Sequence, residues 1–330
     1  MRGVRALQPA ASAVGVRAQA TIALVLIAAL GCPHAARAEC VPSSAPAGMP
    51  IALVLSGGGA KGAYDAGVAA AFVRRRLPIR LVAGSSAGAL NAAMVAAGSV
   101  DELEKLWRSL TPERVYTLRA PVFFAGLLPG WLTLLALDRA GSLFDPRPLR
   151  ELITASLDLG RVRASPVRLL VVTTDLARRE RRLFDNHTVS VDALLAAAAV
   201  PGAFPPVEVD GAPLVDGGLI GRAPVLETLE SGIPMGRVVV VMSYAPGERV
   251  SMPTTLRGTL EQAFEMSMVH QIERDTELAR LKYPSTDVQL LTPSAPLLLR
   301  PLHFDPEAVA RAFEQGHADA LACVQTWQGK

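Results

Sequence analysis

The first 38 of the 330 residues lack acidic side chains, and they lack an apolar run long enough to span a membrane. The run from Ala20 to Gly31 has twelve residues, whereas a spanning helix needs about 20. Arginines precede this run, and Ala36-Arg37-Ala38 has the small-x-small pattern of a signal-peptidase site. The pattern predicts a cleaved export signal at residues 1–38 and a periplasmic or secreted protein, with some contact to a membrane. An uncleaved anchor and lipidation at Cys32 are the alternatives.

The mature chain would also lack a strong excess of either charge. Loss of four arginines and no acid changes the net charge from +3 to −1. Binding to nucleic acid requires a concentrated basic face, so we expect no nucleic-acid partner. Cys40 and Cys323 would be the remaining cysteines. In an oxidising compartment they could form a disulfide, but the sequence does not show whether they lie close together. Two isolated cysteines are no metal site, and we expect no metal or other cofactor.

Strand patterns alternate with helix patterns along the chain, which predicts an α/β fold with a largely parallel central sheet covered on both faces. Residues 39–50 are predicted to be a linker, and residues 51–330 a single functional domain that closes with a helix at residues 306–327. An apolar content of 50% is sufficient for a large core. The sequence contains no internal repeat and no low-complexity tract.

The first apolar strand, Ile51–Leu55, leads into a glycine-rich turn with the pattern Gly57-x-Gly59-x-x-Gly62. A dinucleotide site would need an acidic residue about twenty positions later, at the end of the second strand, and Ala83-Gly-Ser-Ser86 stands there instead. A phosphate loop is excluded because no serine or threonine follows the lysine of this turn. Consecutive glycines direct backbone N–H groups into one concavity, so Gly57, Gly58 and Gly59 are predicted to bind an oxyanion.

The second turn has the pattern Gly84-x-Ser86-x-Gly88 between a strand and a helix, which is typical of a nucleophile elbow. The glycines centre on Ser86 rather than on Ser85. A serine nucleophile needs a base within hydrogen-bond reach. Asp216 is one candidate because it ends a strand and precedes two glycines, although an ordinary hairpin turn fits the same pattern. The histidines, for which a structural role is expected, are the other candidates: His187, His270, His303 and His317.

Three blocks together resemble the signature motifs of the patatin-like phospholipases. They are Ser56-Gly-Gly-Gly-Ala-Lys-Gly62, Gly84-Ser-Ser-Ala-Gly88 and Asp216-Gly217-Gly218, which supply the supporting residues Lys61, Gly62, Gly84, Gly88, Gly217 and Gly218. The resemblance extends over residues 51–291. It implies a three-layer α/β/α fold and hydrolysis of acyl esters in phospholipids or related lipids, without a metal. It also implies a dyad of Ser86 and Asp216, with an oxyanion hole at Gly57–Gly59. Lys61 departs from the family, which more often has arginine there.

Two alternatives remain open at this stage. A carboxylesterase with a Ser–His–Asp triad would use His270, His303 or His317, each of which follows the acid in the sequence. A non-catalytic lipid-binding protein would retain the motifs without the activity.

Residues 121–137 are seventeen consecutive residues without a charge. They are predicted to be a buried helix pair broken at Pro129-Gly130 or, alternatively, a segment that contacts acyl chains or a membrane surface.

Overall fold

The computed structural model of the chain describes residue 40 and residues 48–125, 130–246, 248 and 252–328. The predicted export signal and most of the predicted linker lie outside the described residues. No helix in the described part of the chain combines the length and the apolar character of a membrane span.

A mixed sheet forms the centre of the fold. The described strands are β1 (Ile51–Leu55), β2 (Ile79–Ser85), β3 (Thr117–Leu118), β4 (Phe144–Asp145), β5 (Arg168–Asp175), β6 (Glu180–Asp185), β7 (Val207–Val209), β8 (Ala212–Asp216), β9 (Arg237–Val241) and β10 (Asp287–Leu291). The main sheet has the order β10-β9-β1-β2-β5-β8-β7, with β6 also paired to β5, and β3 and β4 pair separately. The strands from β10 to β5 run parallel, while β6, β7 and β8 are antiparallel additions.

Helices cover both faces of this sheet. They are α1 (Gly62–Arg74), α2 (Ala87–Ala96), α3 (Val100–Arg108), α4 (Pro112–Val115), α5 (Ala120–Ala125), α6 (Gly130–Ala140), α7 (Arg147–Ser156), α8 (Leu159–Ala164), α9 (Val191–Ala197), α10 (Val225–Leu229), α11 (Leu256–Lys282) and α12 (Pro306–Gln328). Short 3₁₀ turns at Gly59–Lys61 and Gly217–Leu219 precede α1 and follow β8.

The side chains of β1 divide between two separate cores, as expected for a strand that is buried on both faces. Leu53 and Leu55 pack with α1, α2 and α12 on one face. Ala52 and Val54 pack with α10 and α11 on the other face. The fold is therefore a three-layer α/β/α arrangement with a largely parallel sheet, as predicted.

The sheet brings the glycine turns and Asp216 to one edge. Leu55 pairs with Gly84, so the turns after β1 and β2 leave the sheet side by side. Strand β5 pairs with β2 along its first half and with β8 along its second half, where Thr173 lies opposite Asp216. The end of β8 therefore lies next to the end of β2, although Ser86 and Asp216 are 130 positions apart in the sequence.

The prediction of a buried helix pair at residues 121–137 was wrong about burial. Two helices, α5 and α6, do form there, and α6 begins at Gly130. Phe123 and Phe124 are 59% and 61% exposed, however, and their rings contact each other at 5.5 Å between centroids. The physical reason is that a run without charge shows apolar character but does not show which neighbour, if any, covers it.

Cys40 and Cys323 form a disulfide, with their Cα atoms 5.3 Å apart. Cys323 is buried on α12, and Cys40 packs against the same hydrophobic core. The bond therefore ties the chain just before the domain to its last helix, a pairing that the sequence had left open.

Candidate active site

Ser86 stands at a sharp turn between β2 and α2. Its backbone angles, φ 55° and ψ −132°, are a strained combination for a residue with a side chain. Gly88 is required two residues later, because a β-carbon there would lie 2.3 Å from the carbonyl oxygen of Ser56. The strand, the turn and the helix predicted around the motif are therefore present, with Ser86 at the strained position.

The first glycine turn packs directly against this elbow. A β-carbon at Gly57 would lie 2.4 Å from the β-carbon of Ser86, so only glycine leaves room for the serine. Gly59 has φ +56°, and the carbonyl oxygen of Pro301 covers it while accepting a hydrogen bond from Ala60 N at 2.8 Å. Gly58 and Gly59 line the same cavity as Ser86. The backbone of the turn is thus within reach of a group bound at the serine.

Asp216 is fully buried and its position is fixed by its own main chain. Its N–H donates to the carbonyl oxygen of Ala199 at 3.0 Å, and its carbonyl oxygen accepts from Thr174 Oγ1 at 2.9 Å. The carboxylate oxygen Oδ1 accepts from the N–H of Gly218 at 2.7 Å. The two glycines after Asp216 therefore form a 3₁₀ turn that the carboxylate caps, rather than only a hairpin turn.

Ser86 and Asp216 interact across this edge of the sheet. Burial raises the pKa of the Asp216 carboxyl, while the Arg222 charge, the nearby Ser86 hydroxyl and the Gly218 N–H lower it in part. The other carboxylate oxygen, Oδ2, accepts no hydrogen bond from any described residue. The Ser86–Asp216 contact is therefore long or bent, which is common in resting sites that tighten when substrate binds.

A cavity of about 770 Å³ opens beside Ser86. Most of its lining is apolar and comes from α2, α3, α7, α11 and the segments around β4 and Pro201, with Leu90, Met94, Leu110, Ile153 and Phe204 as examples. This volume lies within the range of small-molecule and lipid pockets. The apolar walls favour a hydrocarbon chain, because each methylene group transferred from water gains about 0.8 kcal/mol.

Lys61 follows the first turn but contacts a different set of groups. Its side chain is buried, its ammonium group lies 3.4 Å from Glu265 Oε1, and it sits 4.1 Å from the centroid of the Tyr244 ring. Burial raises the pKa of Glu265, and the Lys61 charge lowers it in part. Lys61 thus ties the turn to α11 through a half-buried ion pair.

The described histidines lie elsewhere. The side chain of His270 is 75% exposed and pairs with Glu273 at 3.5 Å. His187 and His303 are exposed, and His317 is half-buried on α12. None of these four lines the cavity that contains Ser86. Within the described residues, no group of three or more histidine, cysteine or acidic side chains is arranged to hold a metal ion.

Sequence reasoning missed Arg222, the largest of the fully buried side chains. It follows Asp216 by six residues, and its guanidinium lies against Gly57 in the first turn and against Gly218 in the turn after Asp216. A lone arginine after a turn is most often solvated, and no local pattern indicated its burial.

Comparison with known proteins places these features in a family. The family model described as patatin-like phospholipase matches residues 53–229. Uncharacterized NTE family proteins of Mycobacterium bovis and Mycobacterium tuberculosis are 32% identical over 176 residues, which cover 53% of this chain and 44% of each relative. A patatin-like phospholipase domain-containing protein of Caenorhabditis elegans is 28% identical over 54% of this chain and 12% of its own length. The matched segment thus spans less than half of these relatives.

Solved structures with 17% sequence identity to this chain were also found. They include VipD from Legionella pneumophila, with a TM-score of 0.48 over 87% of this chain and 70% of that protein. The type III effector protein ExoU gives a TM-score of 0.43 over 85% of this chain and 53% of its own.

Proposed function

The chain belongs to the patatin-like phospholipase family, and from that premise we propose that it is a serine lipid acyl hydrolase. One observation carries the proposal: Ser86, on a strained turn at the end of β2, and the buried Asp216 carboxyl, at the end of β8, lie on the same edge of the sheet, where Ser86 lines the wall of an apolar cavity. Ser86 would be the nucleophile and Asp216 the general base. The amides of Gly57, Gly58 and Gly59 would stabilise the oxyanion.

The proposed reaction has two stages. Asp216 accepts the proton of Ser86, and the serine oxygen attacks the carbonyl carbon of the ester. The negative charge that develops on the carbonyl oxygen is stabilised by the backbone N–H groups of the first turn. The tetrahedral intermediate collapses, the alcohol leaves with the proton from Asp216, and an acyl-enzyme remains. Water then gives a proton to Asp216, attacks the acyl carbon, and releases the fatty acid while the proton returns to Ser86.

The cavity favours a long acyl chain as the substrate group, and a phospholipid or a related acyl-ester lipid as the substrate. Its walls are hydrocarbon on most sides, and Ser86 lies on one wall. A short, polar acyl group would leave this surface without partner atoms. The same acyl-enzyme could also pass its acyl group to an alcohol instead of water.

Peripheral contact with a lipid surface is part of the proposal. Leu256 and Leu260 on α11 line the cavity and are also 77% and 62% exposed. Phe123 and Phe124 on α5 add two exposed aromatic rings within the 121–137 segment. Exposed apolar side chains of this kind are costly in water and favourable at a membrane interface. They would let a lipid enter the cavity without crossing water.

Export to an oxidising compartment, either the periplasm or the exterior, completes the proposal. The disulfide between Cys40 and Cys323 supports it, because structural disulfides persist mainly in such compartments.

The proposal is tested with purified protein and a soluble p-nitrophenyl ester. Ser86→Ala and Asp216→Asn should each abolish hydrolysis. Ser85→Ala is the matched control: its buried hydroxyl has no hydrogen-bond partner among the described residues, so its loss should leave turnover nearly unchanged. Robust turnover by Ser86→Ala or Asp216→Asn would refute the assignment of these residues as nucleophile and base.

The triad alternative is tested in the same assay. Alanine at His270, His303 or His317 should leave activity within a few-fold of the wild type. A loss as large as that of Ser86→Ala at any one of them would favour a Ser–His–Asp esterase. Failure of the wild-type protein to react with a fluorophosphonate probe would instead favour a non-catalytic lipid-binding protein.

A further inference from the structure

Arg222 is a buried cation in a site where a carboxylate must serve as a base. The residue is 2% exposed, and a guanidinium cannot lose its charge in a protein. A charge buried to this extent requires anionic partners, because desolvation otherwise costs several kcal/mol. Two carboxyls that are fully buried, Asp65 on α1 and Asp216 at the end of β8, interact with the charge of Arg222.

The guanidinium fills the space that two glycines leave open. A β-carbon at Gly218 would lie 2.6 Å from Arg222 Nη1 and 2.9 Å from Asp216 Oδ1. The nitrogen and the carboxylate oxygen are therefore no farther apart than the sum of these distances, about 5.5 Å, which is within the range of strong charge effects. On the other side, a β-carbon at Gly57 would lie 2.9 Å from Arg222 Cζ. The same guanidinium thus packs against the turn proposed to bind the oxyanion.

Helix α11 holds Arg222 in this place. The backbone N–H of Arg222 donates to Gln271 Oε1 at 2.9 Å. The Phe264 ring centroid lies 5.9 Å from Arg222 Cζ, a distance at which a cation and an aromatic face attract. Tyr244 is buried nearby: burial raises the pKa of its hydroxyl, and the Arg222 charge lowers it in part. These contacts come from elements far apart in the sequence, so the position of the cation is set by the folded site.

The titratable groups around this cluster come from several elements. Asp65 accepts a hydrogen bond from Ser56 Oγ at 3.3 Å. Burial raises the pKa of Asp65 well above its usual range, with Ser56 and Arg222 opposing that effect. Tyr244 interacts with Asp65, with Arg222 and with Glu265, and Glu265 in turn pairs with Lys61. Arg222 is the cation that acts on both buried carboxyls.

We propose that Arg222 is a positioning residue of this site: it fixes the Asp216 side chain and supplies the positive charge that this carboxylate faces when it acts as the base. The inference rests on the proposed function of Asp216. Without Arg222, burial would act on Asp216 unopposed by a cation. The carboxyl would then stay protonated to higher pH, and the enzyme would lose activity first on the acidic side.

The test is the pH profile of kcat/KM with a soluble p-nitrophenyl ester. Arg222→Met keeps most of the volume and removes the charge, so the acidic limb should move up by about 1 to 2 pH units. Arg222→Lys retains a charge and should keep the limb within about half a pH unit of the wild type, with reduced kcat because the planar fork is lost. Arg311→Met is the control for loss of one positive charge, since that side chain is 71% exposed on α12. Its profile should match that of the wild type.

An acidic limb that stays in place in folded Arg222→Met would overturn the inference. If Arg222→Met does not fold, the double variant Asp65→Asn/Arg222→Met removes one buried carboxyl together with the cation, and the same upward shift is expected. If neither folds, Arg222→Lys decides, because a folded lysine variant as inactive as Ser86→Ala would refute a role for the charge. The two proposals are distinguished by Ser86→Ala. An active Ser86→Ala enzyme overturns both proposals, whereas an inactive one, combined with an unshifted acidic limb in Arg222→Met, overturns only this one.

Discussion

Replacing Gly57 with alanine tests whether the first turn and the nucleophile share one rigid site. The new β-carbon would lie 2.4 Å from the Ser86 β-carbon and 2.9 Å from Arg222 Cζ. Carbon atoms in contact are ordinarily about 3.5 to 4.0 Å apart. Either the serine or the turn must therefore move by about 1 Å, and a displacement of that size costs about 100-fold in rate.

We expect kcat/KM for a soluble ester to fall at least about 100-fold in Gly57→Ala, which corresponds to about 2.7 kcal/mol of transition-state stabilisation. Most of the loss should appear in kcat, because the acyl cavity is not altered. Overpacking should lower the free energy of unfolding by about 1 to 3 kcal/mol, so the protein should still fold. Steady-state kinetics and urea unfolding measure the two quantities on the same sample.

Gly221→Ala is the matched control. Its β-carbon would meet the nearest atom, Val172 Cγ1, at 3.4 Å, which is an ordinary contact. Activity should stay within about twofold of the wild type, since no atom of the site has to move. A folded Gly57→Ala enzyme with activity within about threefold of the wild type would refute the proposed packing of the two turns.

Three further predictions concern the cavity, the exposed rings and the disulfide. With p-nitrophenyl esters of increasing chain length, kcat/KM should rise up to about fourfold per added methylene group until the cavity is full, and a flat series would contradict an acyl-binding role. Replacing both Phe123 and Phe124 with serine should reduce hydrolysis of phospholipid vesicles more than about tenfold while leaving soluble esters nearly unaffected; equal loss on both would argue against surface contact. Cys323→Ser should lower the free energy of unfolding by about 2 to 4 kcal/mol. Reductant should lower the melting temperature of the wild type but not that of Cys323→Ser. An unchanged melting temperature would show that the disulfide does not stabilise the domain.

The sequence predicted the parts of the site that local geometry determines. Glycine at positions 57 and 88 indicates the turn directly, because a β-carbon at either position would clash with the backbone or side chain around Ser86. Ser86 itself follows from the strand–turn–helix pattern. Asp216 could be paired with it only through the resemblance to a family, since the contact depends on β5 joining β2 to β8.

The features that the sequence could not predict depend on packing between distant elements. The burial of Arg222 is set by Gln271 and Phe264 on α11, about 40 to 50 positions later, so no window around Arg222 contains the information. The exposure of Phe123 has the same cause: an uncharged run shows that a segment is apolar, but a core exists only where another element covers it. The disulfide likewise required Cys40 and Cys323 to approach within 5.3 Å between their Cα atoms, over a separation of 283 residues.

The most direct measurement for the central claim is the site of covalent reaction with a fluorophosphonate probe. Peptide mapping by mass spectrometry of the labelled protein should place the adduct on Ser86 and not on the adjacent Ser85. Labelling should disappear in Ser86→Ala and become much slower in Asp216→Asn, because the serine would lose its base. An adduct on another residue, or undiminished labelling of Asp216→Asn, would contradict the Ser86–Asp216 dyad.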